Sequence, residues 1–326
     1  MILFDNNKEK DVIAFGRATI DLYANEIGPM EDAITFTKYV GGSPANTAVA
    51  MANLGLDVGY IGRVSDDQLG RYIIRYLKSK KVDVSHIVFD NTGARSGITI
   101  GEIKSPEECS YIMYRSNCAD LNISPQQLDE SYIKKFKMIL ISGTSLSHSP
   151  AREAVFLAME YARRNGVKIS LDLDYREKTW SSLDSASVYY ALAAEKADII
   201  MGTRDEYDVM ERRYLVGNKD DAISANRLFR SGAALVLIKK GKQGSVVFTA
   251  DGKRYEGKTY PAKIIKTFGA GDAFSGAFNY CIIHKKSISE ALNYAAAAAS
   301  ITISGHSCSE STPTLDEIKS YMQQYE

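Results

Sequence analysis

The run Thr267-Phe268-Gly269-Ala270-Gly271-Asp272 sets two glycines and a carboxylate at the head of a stretch in which Phe274, Ala277, Phe278 and Cys281 recur at helical spacing. Glycine lets the backbone turn tightly with no side chain in the way. The free amides of the first helical turn, helped by the helix dipole, can then face an anion such as a transferring phosphoryl group. Gly269, Ala270 and Gly271 are candidates for that anion hole. Asp272 is a candidate general base, able to take a proton from an attacking hydroxyl. An acid at a helix start is also an ordinary cap, and this run alone leaves both readings open.

A second run, Gly41-Gly42-Ser43-Pro44-Ala45-Asn46, opens a helix of small residues far upstream. Its glycines let backbone approach a ligand closely, and the Asn46 amide can both donate and accept. A literal GxxxxGK[ST] match at 252–259 fails on its flanks. Pro261 follows two residues later, and a phosphate-binding loop needs a strand before it and a helix directly after. No GxGxxG follows the first strand, so a dinucleotide fingerprint is missing.

The elements that must hold these runs read as follows. Asp11 to Phe15 is a buried strand ended by Gly16, and Gln68 to Lys81 an amphipathic helix. From Lys137 onward strands and helices alternate: strands at Met138–Ile141, Val167–Leu173, Asp198–Met201 and Ala234–Ile238, with helices at 150–165, 186–196 and 224–230. A hairpin turns at Asp251-Gly252, and two helices close the chain, at about 270–284 and 289–304. Such alternation predicts an α/β fold with a mostly parallel sheet covered on both faces. Segments near 34–40, 96–103 and 109–115 alternate with period two and do not fit that rhythm, which predicts a small separate sheet, a lid over the main body.

Composition narrows the function classes. The 326 residues carry 40 Lys+Arg against 40 Asp+Glu, with no like-charged run, which argues against a duplex nucleic-acid binder. The four cysteines show no CxxC and the four histidines no HExxH, so a zinc site lacks its spacing. The polar start MILFDNNKEKD is unlike a signal peptide, and no apolar run reaches about 18 residues. The expectation is a cytoplasmic protein that binds neither nucleic acid nor membrane.

Together the GGSPAN and GAGD runs resemble the two signatures of the PfkB, or ribokinase, family of carbohydrate kinases, in family order and across nearly the whole chain. The resemblance implies a ribokinase-like three-layer α/β/α sandwich as one kinase domain over 11–326, with lid strands inserted at about 33–40 and 95–116. It implies ATP and Mg²⁺ as cofactors. Asp21, Gly41, Gly42 and Asn46 would line the sugar site, and Gly269, Ala270, Gly271 and Asp272 would supply anion hole and base. Lys239, Gly241 and Gly244 resemble the segment that carries ATP contacts. The family's Asn-x-x-Glu motif appears as Thr203-Arg204-Asp205-Glu206, which leaves Thr203 near phosphate and Glu206 acting on Mg²⁺ through water. Lys266 stands where many members carry an aspartate that helps bind a monovalent cation. Its expected place is near ATP, with its ammonium taking over that charge.

Asp172-Leu-Asp174-Tyr175-Arg176 followed by Trp180 is similar to the DxNxR…W segment of the ketodeoxygluconate kinase branch, which implies an acid sugar with its carboxylate met by Arg176. An arginine fork suits a carboxylate. Arg115 and Arg17 offer further cations, and Asp174 in place of Asn alters the hydrogen-bond pattern. The segments GRATIDLYANE, SPEECSYIMYR, LDLDYREKTW and IKTFGAGDAF resemble the inositol-catabolic branch, which implies phosphorylation of the terminal hydroxyl of a dehydro-deoxygluconate. A 2-keto-3-deoxygluconate kinase or fructokinase of the same fold, and a catalytically silent sugar or nucleotide sensor, remain as other readings. A homo-oligomer, dimeric through the lid, is the expected assembly.

Overall fold

The computed structural model describes residues 2–105 and 108–325. Pro106 and Glu107 of the SPEEC segment, and the terminal Glu326 of the expected domain, lie outside the described residues. In chain order the elements are β1 Lys10–Phe15, β2 Thr19–Ala24, β3 Phe36–Gly41, α1 Ser43–Asn53, β4 Val58–Ser65, α2 Gln68–Ser79, β5 Asp83–Asp90, β6 Ile98–Ile103 and β7 Cys109–Tyr114. There follow α3 Glu130–Ile133, β8 Phe136–Ser142, α4 Ala151–Arg164, β9 Lys168–Asp172, α5 Leu183–Ala194, β10 Ile199–Thr203, α6 Arg204–Glu211, α7 Asp221–Arg230 and β11 Leu235–Lys239. The chain closes with β12 Ser245–Thr249, β13 Arg254–Gly257, α8 Ala270–Ile283, α9 Ile288–Ile303 and α10 Leu315–Gln323.

Nine strands form one sheet in the order β13-β12-β11-β10-β9-β8-β1-β4-β5, parallel from β11 to β5 and antiparallel at the β12 and β13 edge. Its central strands are apolar without interruption because helices cover both faces. Val12 and Ala14 of β1 face the layer of α1, α2, α8 and α9, while Ile13 and Phe15 face the layer of α3 to α7. Each fully buried residue of this size contributes about 1.5–3 kcal/mol, so the two cores hold the C-terminal ends of β1, β9, β10 and β11 in fixed register. Those ends carry the candidate site, as expected of an open α/β sheet.

The small sheet runs β3-β2-β6-β7, with β2 and β6 parallel and the other pairs antiparallel. It holds one strand more than the alternating segments predict. β2 (TIDLYA) is buried on both faces, so Asp21 and Tyr23 stand among apolar residues and no polar-out alternation marks it. Further differences are β5 at the sheet edge, the short α6 and the closing α10, all absent from the sequence reading. Residues 252–259 lie on the β12–β13 hairpin and the loop after it, with no helix following, so the P-loop match is chance. Among the described residues no helix is long and apolar enough to cross a membrane.

Candidate active site

α8 starts at Gly269, whose φ of 82° is left-handed and whose missing Cβ would lie 2.8 Å from that of Cys308. No other residue type fits there without strain. Ala273 is the first amide to bond back into the helix, to the Gly269 carbonyl at 3.0 Å. The amides of Ala270, Gly271 and Asp272 therefore precede the helical ladder and are directed out of the helix end.

Asp272 sits in that first turn, against the start of α1. Close approach of the two helices relies on Gly276, where a Cβ would come within 2.7 Å of Ala50 Cβ. Ser43 Oγ donates to Asp272 Oδ1 at 2.7 Å and Asn46 Nδ2 donates to Oδ2 at 2.8 Å. Asn46, expected to line the sugar site, thus orients the candidate base, and its buried Oδ1 has no partner among the described residues. Burial, and next the negative charge of Asp174, push the Asp272 carboxyl up to about 6, against the hydrogen bonds and Arg176 that pull it down. Near pH 7 it is still mostly ionised and can accept a proton.

Facing this turn is the end of β11. Lys239 Nζ lies 3.3 Å from both oxygens of Asp172, and a Cβ on Gly271 would sit 3.6 Å from that ammonium. Ser275 Oγ also donates to Asp172, at 2.6 Å. Burial works against the charged lysine, but Asp172, Glu206 and Asp272 raise its pKa and keep the cation facing the head of α8. Asp172 was missed in the sequence reading, although it is the first acid of the DLD run.

Glu206 and Thr203 form a reciprocal cap on α6: Thr203 N donates to Glu206 Oε2 at 2.7 Å and Thr203 Oγ1 accepts from Glu206 N at 3.3 Å. Glu206 Oε1 also accepts from Tyr175 N at 2.8 Å. Gly241 and Gly244 have φ of 57° and 85°, and a Cβ on Gly244 would meet the Gly257 carbonyl at 2.0 Å, so these two build the β11–β12 turn. No three or more His, Cys, Asp or Glu side chains among the described residues gather in metal-ligand geometry. A hard cation here would keep water and phosphate oxygens as its main ligands, which suits Mg²⁺.

On the other side of Asp272, Asp174 has a left-handed φ of 41° and receives both Arg17 Nη1 at 2.7 Å and Arg176 Nη2 at 2.8 Å, with Ser142 Oγ at 2.7 Å. Although burial opposes it, the two guanidinium groups hold the Asp174 carboxyl down at about 2. Arg17 also donates to Thr144 Oγ1 and is 4% exposed, so it is occupied within the protein, not open to a ligand as expected. Arg176 remains about one-third exposed. Arg115 makes a buried bidentate pair with Asp120, leaving its Nε without a partner among the described residues. Three arginines meet two aspartates here.

At the expected sugar side stands Asp21, whose carboxylate takes the place a Cβ on Gly41 would fill and accepts from Tyr23 Oη at 2.7 Å. Burial raises its pKa, with Tyr23 and Arg17 opposing. Gly42, with φ 94°, lets the chain pass within contact of the Arg17 carbonyl.

Lys266 corrects its expected place. It is 0% exposed, out of reach of a nucleotide, and its ammonium donates to the Phe268 carbonyl at 2.7 Å. Burial lowers its pKa, while Cys308, Asp272 and Asp21 favour the charge.

The model of the pfkB family carbohydrate kinase matches residues 9–315. A 5-dehydro-2-deoxygluconokinase of Geobacillus thermodenitrificans is 52% identical over 324 residues, covering 99% of this chain and 96% of the relative. In structure, a fructokinase of Xylella fastidiosa with bound ATP superposes with a TM-score of 0.87 at 24% identity, over 97% of this chain and 99% of that one. A putative ribokinase II of E. coli, in complex with ATP and Mg²⁺, gives 0.86 at 24% identity over the same shares. With a family match running from before β1 to the first residue of α10, the chain belongs to the pfkB family of carbohydrate kinases, phosphotransferases that act on an alcohol group.

Proposed function

We propose that this kinase transfers the γ-phosphoryl group of ATP to the terminal, C6, hydroxyl of 5-dehydro-2-deoxy-D-gluconate, a step of inositol breakdown. The observation that carries the reading is Arg176, which is held on Asp174 in a cluster with Arg17, Arg115 and Asp120 and stays about one-third exposed near Asp272. A neutral hexose needs no such open guanidinium, and an acid sugar does. The name of the Geobacillus relative agrees with it.

In this reading Arg176 meets the sugar carboxylate, with Arg115 and Arg17 adding charge from behind it, while Asp21 and the unpartnered Asn46 Oδ1 meet hydroxyl groups. Asp272, fixed by Ser43 and Asn46, accepts the proton of the C6 hydroxyl as its oxygen bonds to the γ-phosphorus. The bond to the β-phosphate oxygen breaks, and ADP leaves with that electron pair. The amides of 270–272 and the Lys239 ammonium oppose the charge that develops on the transferred group. Thr203, Gly241 and Gly244 border the nucleotide. Mg²⁺ would neutralise the triphosphate, held through waters by Glu206 and Asp172.

The protein works in the cytoplasm, and copies pair through the small sheet. Among the described residues its edge strands β3 and β7 have no strand paired on their outer sides, and Tyr114 and Ile112 are 60% and 47% exposed. Light scattering of the purified chain checks the pairing.

The deciding experiment measures ADP formation with 5-dehydro-2-deoxygluconate, 2-keto-3-deoxygluconate, gluconate and fructose. The reading expects the first to give the highest kcat/KM by at least tenfold. Preference for fructose discards the arginine argument, preference for 2-keto-3-deoxygluconate moves the substrate within the acid sugars, and no turnover with any of them favours a silent sensor.

A further inference from the structure

Phe268 stands between the two parts of the molecule that must act together. It directly precedes Gly269, the left-handed residue at the head of α8. Its ring meets Tyr23 of β2 with centroids 6.0 Å apart and the ring of Tyr111 of β7 edge-on at 5.6 Å. Between those strands β6 passes at Gly101, where a Cβ would lie 3.5 Å from Phe268 Cε2 and 2.8 Å from Tyr23 Cδ1. Three strands of the small sheet therefore enclose one side chain of the anion-binding loop.

The backbone of the same residue is held from the opposite side. Its carbonyl accepts from the buried Lys266 ammonium at 2.7 Å, and the next residue rests on Cys308. Tyr23 joins the two supports: its hydroxyl donates to Asp21 at 2.7 Å and lies 3.0 Å from Cys308 Sγ. A ligand hydroxyl that engages Asp21 thus acts on a tyrosine in contact with both the ring of Phe268 and the thiol behind Gly269.

We propose that Phe268 is a positioning residue that couples seating of the small sheet on the sugar to the orientation of the amides of 270–272. The inference rests on the acid-sugar reading above. With sugar bound, Tyr23, Gly101 and Tyr111 clamp the ring, Lys266 holds the carbonyl, and the loop between these points has one conformation. With the sheet withdrawn, the ring loses its three neighbours, and the Lys266 bond and the contact of Gly269 with Cys308 remain. Sugar and nucleotide then bind with positive coupling, because each stabilises the clamped loop. The arrangement also suppresses ATP hydrolysis in the absence of sugar, since the anion hole forms only under the seated sheet.

The test uses the full chain and two variants, Phe268→Ala and Phe268→Leu. Calorimetric titrations measure the affinity of the Mg²⁺ complex of a non-hydrolysable ATP analogue with and without 5-dehydro-2-deoxygluconate, and the reverse titration checks reciprocity. The unaltered protein is expected to bind the analogue about fivefold or more tightly with sugar present, the usual lower range of such coupling. In Phe268→Ala the coupling falls to within twofold, each separate Kd stays within threefold, and kcat drops about 10- to 100-fold, as a misplaced reacting geometry does. Phe268→Leu recovers part of both and carries the test if the alanine variant does not fold. Coupling retained in both variants, or a higher sugar KM at unchanged kcat, overturns the proposal. So does an unaltered enzyme that turns over this sugar without coupling. Failure of the unaltered protein to bind or phosphorylate the sugar instead removes the substrate reading, and the inference with it.

Discussion

Replacing Asp272 by Asn is expected to abolish turnover and at the same time stabilise the protein. The carboxyl is raised from an ordinary aspartate value of 3.8 to about 6, chiefly by burial and secondly by Asp174. For an acid whose folded pKa lies above its unfolded one, the folded state binds more protons between these values. Stability is therefore lost as pH rises from about 4 to 6 and stays lost above. At roughly 1.4 kcal/mol per pH unit the gap amounts to about 3 kcal/mol. Part of that is offset because the amide keeps one acceptor oxygen, for Asn46, and its NH2 cannot accept from Ser43, so we expect about 1–3 kcal/mol of gain at pH 7.5. For a chain of this length that is a rise of a few degrees in Tm, scaled from about 2 cal/mol/K of unfolding entropy per residue. Melting curves at pH 7.5 and pH 4.5, followed by circular dichroism, read it directly. The gain should be full at the higher pH and shrink to about a third at the lower, where the folded state holds the proton but most unfolded chains have lost it. Turnover with ATP and the acid sugar should fall about 10²- to 10⁴-fold, the usual worth of a general base, while ATP still binds. Near-normal turnover refutes the role of Asp272 as base. An unchanged or lower Tm at pH 7.5 refutes the claim that this site holds an anion at the expense of the fold.

Other expectations follow from the same geometry. Ser43→Ala removes a hydrogen bond to the ionised Asp272, worth about 1.5–3 kcal/mol, so the acid limb of kcat/KM should move upward from about 6 by about one pH unit, read from a pH–rate profile. Lys239→Met should cut kcat by about 10²–10³ as an oxyanion-stabilising group does, whereas a change confined to the KM for ATP would assign the lysine to ground-state binding only. Arg176→Ala should raise the KM for the acid sugar about 10- to 100-fold, from the loss of a charge-assisted pair, with the KM for ATP unchanged; the reverse pattern would move the carboxylate elsewhere. Because the Lys266 ammonium already sits on the Phe268 carbonyl, rates in matched potassium and sodium buffers should agree within about twofold; strong activation by potassium would show that this charge is supplied from outside.

Local runs announced the chemistry well. GAGD and GGSPAN each keep their functional atoms within one helical turn, where spacing along the chain equals proximity in space. The parallel sheet was equally legible, because burial on both faces leaves uninterrupted apolar strands. What spacing did not carry is the pairing of charges across long separations. Arg17 is 157 positions from Asp174, its ion partner, and Ser43 is 229 from Asp272. A candidate arginine read from sequence is a free cation by default; in the fold, Arg17 and Arg115 are each held by an aspartate. Strand β2 was hidden for a related reason. Its polar residues Asp21 and Tyr23 turn inward, toward the cleft and the anion-binding loop, so the alternation that marks a half-exposed strand is absent where the strand serves the site.

The same logic explains how a chain of zero formal net charge holds a charged site. A buried ion costs several kcal/mol unless it is paired, and here nearly every one is: Arg17 and Arg176 with Asp174, Arg115 with Asp120, Lys239 with Asp172. Of the arginines, Arg176 stays about one-third exposed, on the side where the acid sugar would lie. Asp272, like Asp21 and Glu206, has hydrogen bonds from neutral groups and no ion pair among the described residues. A carboxylate matched to an arginine would be stable and a poor base, as Asp174 is at about 2. Asp272, left with Ser43 and Asn46, keeps a pKa close to the working pH, where proton transfer is most effective. The pairing of the arginines and Lys239 elsewhere in the cleft leaves Asp272 facing Ser43 and Asn46 alone, and its affinity for a proton follows from those neutral neighbours.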